Sequence, residues 1–361
     1  MRIGLLIYGS LDTVSGGYLY DRKLVAHLRN QGDRVEIVSI PWRNYLSHLG
    51  DNFNRSLRHT LRRLPVDVLV QDELNHPSLV WLNKTLQAPY PIISLVHHLR
   101  CDELRPGWQN AVYRLVERRY LDSVDGFIFN SQTTKESVAE RAPINGRPWV
   151  IATPAGDRFD PKIERESMDA VAGRNGPLRL IFVGNLIPRK GLHTLIEALG
   201  LLEADCCNLD VVGSLETDRD YVRRIFRRVD SLGLQNRVQF HGLLNDEFLS
   251  RIYEQSQVLV VPSSFEGFGI VYLEGMRFGL PGIGTNQGGA KEIIRPDETG
   301  YLMEPGDATG LANLLRKLHR DRAKLHAMRL NAWQHQRQFP RWEESMAKVR
   351  HFLQRVVSNW L

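Results

Sequence analysis

The residues able to do chemistry in this 361-residue chain gather in a few short stretches. The densest is SSFEGFGIVYLEGMRFGLPGIGTNQGGAKEII, where Glu266 and Glu274 stand eight apart across a Gly-Phe-Gly turn. If a helix begins near Ile270, Glu274 lies about one turn inside it and Glu266 at its mouth, and both can face one pocket. Paired carboxylates accept hydrogen bonds from paired hydroxyls, which points to a sugar or a ribose; a solvated surface pair is the plain alternative. Gly288, Gly289 and Glu292 then open another turn of close approach.

A second stretch, VGNLIPRKGLHTLIEAL, ends an apolar strand at Gly184 and sets Arg189 and Lys190 just before a helix. Cations are disfavoured at a helix N-terminus, so the placement makes sense if an anion lies between them; otherwise the two are a solvated loop pair. The loop Gly9–Gly17 also follows a strand and precedes a helix, where backbone N–H groups can approach a phosphate. It is not Gly-x-Gly-x-x-Gly, and the acidic residue expected about 20 positions on is missing, which argues against an NAD-dependent oxidoreductase. His97 and His98 follow the strand ending at Val96, while Asp102 and Glu103 beyond them read as loop carboxylates.

These groups need elements to hold them. Apolar runs at Ile3–Tyr8, Val35–Ile40, Val66–Val70, Ile92–Val96 and Phe127–Asn130 alternate with helical patterns, the first at about Tyr18–Asn30. A second series runs through Leu178, Leu209–Gly213, Val238–Gly242, Val258–Pro262 and Leu280–Gly284. This alternation predicts an α/β protein of two doubly wound Rossmann-like domains, each a parallel sheet covered by helices. Ligands in such sheets sit beyond the carboxyl ends of the strands, so the two domains are expected to face an interdomain cleft. The expected domains are 1–158, 159–340 and a C-terminal helix, 341–361, packing back on the first. The linker reads as Pro154–Pro177, and Met346, Val349, Phe352, Leu353 and Val356 share one face of the last helix.

Composition narrows the class. With 42% apolar and 24% charged residues, a disordered, collagenous or disulfide-scaffold chain is excluded. Three cysteines, two of them adjacent, give no disulfide framework and no metal-ligand spacing. No apolar run reaches the roughly 18 residues of a membrane span, and MRIGLLIYGSLD reads as a first strand rather than a signal peptide, so a cytoplasmic location is expected. The net charge of +6 permits anionic partners and selects none.

Taken in order, the Gly16-Gly17 loop, NSQTTKESV, PAGD, VGNLIPRKG, EGFGIVYLE, GLP, GGAKEII and ETGYLMEPGD resemble glycosyltransferase family 4 over nearly the whole chain. The resemblance implies the GT-B architecture and a retaining, nucleoside-diphosphate-sugar-dependent hexosyltransferase acting on a hydroxyl acceptor in glycan biosynthesis, whether glycan, lipid-linked or small molecule. By the same resemblance Lys190 and Arg189 hold the donor diphosphate, Glu274 the ribose, and Glu266 with the backbone of Phe268, Gly269 and Ile270 the donor sugar. Gly16 and Gly17 close over the phosphates, Gly184 and Asn185 line them, and Leu244 flanks the base. The family's active-site histidine falls on His97, with His98 as the alternative. Family members often carry arginine where this chain has Asn185, so Arg189 is expected to supply that cation. Glu266, His97, Lys190 and Arg189 form the expected catalytic set.

No cofactor beyond the donor and no metal is expected. Asp218-Arg-Asp220 superficially matches the metal-binding Asp-x-Asp of another glycosyltransferase fold, but reads better as the cap of a basic helix at Tyr221–Val229. Competing readings are a non-catalytic nucleotide-sugar-binding subunit and a GT-B-fold epimerase or phosphorylase. Tyr18, Trp42 and Trp108 are candidate acceptor contacts. Arg55, Arg58, Arg62 and Arg63 alternate with Leu57, Leu61 and Leu64, and Arg114, Arg118 and Arg119 form a second cluster. Such helices can lie on anionic lipid, giving a peripheral membrane contact, or can simply be solvated. Nucleic-acid binding is not expected, for no interleaved aromatics accompany the charge.

Overall fold

A computed structural model describes residues 1–161 and 176–360. Most of the expected linker, residues 162–175, therefore lies outside the described residues, as does Leu361. Met1–Pro154 with Arg341–Leu361 forms one compact unit and Ala155–Pro340 a second.

The first unit contains strands β1 (Arg2–Tyr8), β2 (Arg34–Ile40), β3 (Val68–Asp72), β4 (Ile92–Val96), β5 (Gly126–Phe129) and β6 (Trp149–Ile151). They form a parallel sheet in the order β2-β1-β3-β4-β5-β6. The central strands β3, β4 and β5 are buried throughout, as expected for parallel strands covered on both faces. Helix Gly16–Asn30 starts where Ser15 accepts from the Tyr18 amide, and it buries Tyr20, Leu24 and Leu28. Helix Trp342–Trp360 packs against it, burying Met346, Val349, Phe352, Leu353 and Val356. Arg350 donates to Asp33 at 2.7 Å and Ser345 to the Thr153 carbonyl at 2.6 Å, which fastens the chain's last helix to this unit.

The second unit repeats the plan with β7 (Leu178–Val183), β8 (Cys207–Val212), β9 (Val238–Gly242), β10 (Val258–Val260), β11 (Gly282–Thr285) and β12 (Gly300–Met303). Their order is β12-β11-β10-β7-β8-β9, again all parallel. The unit begins at Ala155, ahead of the boundary expected after Arg158, because local packing holds this stretch. A Cβ at Gly156 would stand 2.6 Å from Leu273 Cβ, and Arg158 pairs with Asp246. The short strands β6 and β12 are additions to the sequence reading.

Each sheet reverses winding direction once, between β1 and β3 in the first unit and between β7 and β10 in the second. Such a switch point opens a crevice beyond the strand carboxyl ends, because the connections on either side diverge to opposite faces. The two units are the two doubly wound α/β domains that the sequence predicts.

Candidate active site

In the second unit the loops leaving β7 and β10 meet at the switch point. The β7 loop ends in the short turn Pro188–Lys190, followed by helix Leu192–Gly200, whose N-cap residue Gly191 has no side chain to cap it, while the Tyr221 hydroxyl accepts from the His193 amide at 3.0 Å. Gly191 joins the two with φ of 72°, and a Cβ there would stand 1.9 Å from the Pro262 carbonyl oxygen, so only glycine fits. This close approach sets Lys190 against the β10 loop, where Lys190 Nζ donates to Glu266 Oε1 at 2.6 Å. Ser263 Oγ donates to the same oxygen at 2.6 Å. Arg189 Nη1 lies 3.9 Å from Glu266 Oε2 and donates to the Phe265 carbonyl at 2.8 Å. Burial would raise the Glu266 carboxyl, but the Lys190 charge, then Arg189 and the Lys190 and Ser263 hydrogen bonds, hold it down at about 2. At the ammonium burial wins, and Lys190 sits below its ordinary value despite Glu266. The result is two cations at a helix mouth, partly neutralised by one carboxylate.

Helix Ile270–Arg277 starts at Gly269, whose φ of 99° turns the chain from the β10 loop into the helix without a side-chain cap. Glu274 lies one turn inside, 2% exposed, and meets a different set of partners. Tyr253 donates to its Oε2 at 3.5 Å, and Arg158 Nη1 stands 3.9 Å from Oε1 while pairing with Asp246. Burial pushes the Glu274 carboxyl up to about 7, with Arg158 offsetting only part of it. Glu266 and Glu274 thus differ sharply in environment, one held ionised by lysine, the other poised near neutrality.

In the first unit, the ends of β3 and β4 and the helix after β1 bring together His97, Asp21 and Asp72. Their ligating atoms lie within 4.8 Å of one another, and Asp21 and Asp72 are buried. His98 turns away, its Nε2 bonded to Glu103 at 3.0 Å. Next to Asp72, Glu73 packs with His76 and Glu117 in a second buried cluster whose imidazole is held by Glu73 and by the Tyr45 hydroxyl, each at 3.0 Å. Asp102 pairs with Arg141 at 2.5 Å, a structural loop contact.

The comparisons with known proteins now bear on this geometry. Residues 164–335 match the family profile "Glycosyl transferases group 1" and residues 17–155 match "Glycosyltransferase Family 4". The chain belongs to glycosyltransferase family 4. It is 27% identical over 246 residues to a D-inositol 3-phosphate glycosyltransferase of Corynebacterium urealyticum, covering 65% of this chain and 58% of that protein. The chain spans less than two thirds of the length of the curated family relatives it first matches. Among solved structures, sucrose-phosphate synthase of Thermosynechococcus elongatus superposes with a TM-score of 0.83 at 22% identity, over 99% of both chains. The Anabaena protein HepE in complex with UDP-glucose superposes with a TM-score of 0.74 at 18% identity, also over 99% of both.

Against this family frame, the structure brings Lys190, Arg189 and Glu266 together and places Phe268, Gly269 and Ile270 on the turn that follows. Gly184 directly follows β7, with Lys190 Cε 3.4 Å from where its Cβ would be, so the loop start lies against the lysine stem. Asn185 follows it in the same loop, its backbone carbonyl accepting from the Ile187 N–H at 2.9 Å. Leu244 is half-buried after β9, and Gly16 and Gly17 form the first turn of their helix. Asp218 is the N-cap of helix Arg219–Ser231, accepting from the Tyr221 amide at 2.9 Å. Tyr18 is a core residue whose hydroxyl donates to the Tyr8 carbonyl at 2.5 Å, which removes it from the acceptor candidates, whereas Trp42 and Trp108 are exposed. Sequence reasoning missed Ser263, Arg158, Tyr253, Asp21 and Asp72. Ser263 carried a signal, a hydroxyl three residues before Glu266; the others are distant in sequence from what they touch.

Proposed function

We propose that this chain moves a sugar from a nucleoside-diphosphate sugar to a hydroxyl acceptor, with retention at the anomeric carbon and without a catalytic metal. The observation that carries this reading is the Lys190–Glu266 pair, flanked by Arg189, just ahead of helix Leu192–Gly200 at the switch point of the second sheet. A departing diphosphate gains charge, and preorganised cations stabilise that charge best where water is excluded. Lys190 and Arg189 supply the neutralisation that a divalent ion provides elsewhere, which is the ground for reading the transfer as metal-independent. The HepE complex with UDP-glucose supports a nucleotide-sugar donor.

On this reading the donor phosphates take Lys190, and Glu266, already ionised, turns its freed oxygen to the sugar hydroxyls. Glu274 accepts from the ribose, and His97 lies on the acceptor side. Attack proceeds from the face the diphosphate leaves, whose oxygen takes the acceptor's proton, so Glu266 orients and forms no covalent bond. Saturation-transfer NMR against UDP-, GDP-, ADP- and dTDP-sugars tests the donor, with Glu274→Ala as control. Selective binding lost in the variant supports the reading, and binding of none overturns it. With the donor known, the anomeric configuration of the product decides retention, and a glycosyl adduct trapped on Glu266 excludes the stated role.

We further infer a peripheral contact with anionic lipid. Among the described residues no helix is long and apolar enough to cross a membrane. Helix Gly107–Leu121 nevertheless exposes Trp108, Val112 and Leu115 beside Arg114, Arg118 and Arg119, the pairing that suits an interface.

A further inference from the structure

The His97 cluster carries an assignment of its own. Asp21 is 0% exposed, and neither of its carboxylate oxygens has a hydrogen-bond partner among the described residues; His97 Nε2 is likewise buried without one. These atoms face each other at 3.6 Å, too long for a hydrogen bond and short for a charge pair. Asp72 closes the third side, and its Oδ1 already accepts from the Leu74 amide at 2.9 Å. The ring cannot swing away. Its Cδ2 edge stands 3.2 Å from where a Cβ on Gly17 would be, Tyr20 meets it edge-on at 5.3 Å, and its carbonyl is held by Asn130 at 2.8 Å.

We propose that Asp21 and Asp72 are positioning residues that keep His97 as a fixed imidazolium against Gly17. A neutral ring leaves buried carboxylate oxygens facing no positive charge, an arrangement that costs several kcal/mol in a protein interior. A protonated ring faces the Asp21 carboxylate and stands beside Asp72, whose carboxyl burial and the Asp21 charge push up to about 7 while the His97 charge opposes that rise. The groups facing His97 are Asp21 and, edge-on, Tyr20 from the first helix, and Asp72 and Glu73 from the end of β3. Burial opposes the charge, yet Asp21, then Asp72 and Glu73, outweigh it and raise the imidazole above its ordinary value. The consequence rests on the reading of Gly16 and Gly17 as the turn that closes over the donor phosphates. An imidazolium beside Gly17 then offsets part of the Asp21 and Asp72 charge near the N-terminus of helix Gly16–Asn30, which lowers the repulsion those carboxylates would exert on the phosphates.

The test is a titration of the full chain labelled with ¹³C-histidine, the His97 signal assigned by its loss in His97→Gln. His97 is expected to titrate above its ordinary 6.5, and its proton-binding constant to fall about tenfold or more in Asp21→Asn, the loss expected on removing a carboxylate within ~4–6 Å. Titration at or below the ordinary value in the parent overturns the proposal without recourse to any variant. A change of less than about twofold in Asp21→Asn, or a signal that titrates only after chelation of a divalent cation, overturns it too. Turnover adds a second readout: in Asp21→Asn the alkaline fall of kcat moves to lower pH while the donor KM on the acid side stays put. The titration needs no donor, so a failed donor panel with a shifted His97 sinks the proposed function and leaves the imidazolium standing.

Discussion

Lys190→Met keeps most of the side-chain stem and removes the charge that faces Glu266 at 2.6 Å. The side chains are 16% and 7% exposed, so solvent screens the pair little. Holding the carboxyl at about 2 rather than 4.5 corresponds to about 3 kcal/mol in favour of the folded, ionised state. The ammonium moves the other way, since burial depresses Lys190, and part of the carboxylate's gain is returned there; about 2 kcal/mol is the net value we assign to the pair. Lys190→Met does worse than forgo that amount, because it leaves a buried carboxylate with only Arg189 at 3.9 Å and the Ser263 hydroxyl. The expected loss is about 3 kcal/mol, roughly 6–12 °C in the melting temperature of a unit this size. Glu266→Gln in the same background should recover about 1.5 kcal/mol or more, a coupling that only contacting residues show. Glu266 has a depressed folded pKa, so its stabilisation is present above 4.5 and lost as pH falls toward about 2. In Lys190→Met this part of the acid fall should shrink or reverse, because burial without the lysine no longer leaves the folded carboxyl below its ordinary value. Calorimetry of the parent, both single variants and the double variant across the acid range measures all of this. Additive effects, or superimposable acid limbs in parent and Lys190→Met, would refute the pairing. On turnover, losing one preorganised cation should cost about 10²–10³ in kcat.

Glu274 predicts the opposite pH dependence. Its carboxyl is raised to about 7 by burial, so it favours the fold below its ordinary value and loses that contribution as pH rises through 7; Glu274→Gln should gain about 2 kcal/mol on the parent between pH 5 and 8, read by thermal unfolding, while weakening donor binding. Gly191→Ala drives a Cβ to 1.9 Å from the Pro262 oxygen at φ of 72°, so it should destabilise the second unit by about 3 kcal/mol or more in denaturant titration, and a loss under about 1 kcal/mol would show that the loop yields. Sedimentation with anionic vesicles at low salt should retain the protein and release it at high salt; Trp108→Ser with Leu115→Ser should weaken retention about tenfold through lost apolar burial. No sedimentation by the parent chain discards the membrane contact.

The two halves were legible in the sequence because β-α alternation is a strong local signal: central strands such as Ile92–Val96 are apolar at every position but Ser94. β6 and β12 escaped since Trp149–Ile151 and Gly300–Met303 are too short to show a period and owe their existence to a neighbour's open edge. The same split between local and distant information runs through the site. Lys190 and Glu266 stood out because each breaks a local rule, a cation before a helix and a carboxylate in a glycine turn. Asp21 breaks none: on the sequence it is one polar residue among the others of a surface helix, and nothing local distinguishes it from Arg22 or Lys23. It becomes special only when parallel winding sets the helix after β1 beside the ends of β3 and β4, putting residues 76 positions apart within charge-pair distance. Switch-point topology therefore does more than open a crevice. It selects which unremarkable helix residues share the crevice with the strand-end histidine, and here the selection is a carboxylate. An imidazole at that strand end is poised by a residue that sequence reading could not have singled out, so substitutions at Asp21, not only at His97, should govern how this unit's contribution varies with pH.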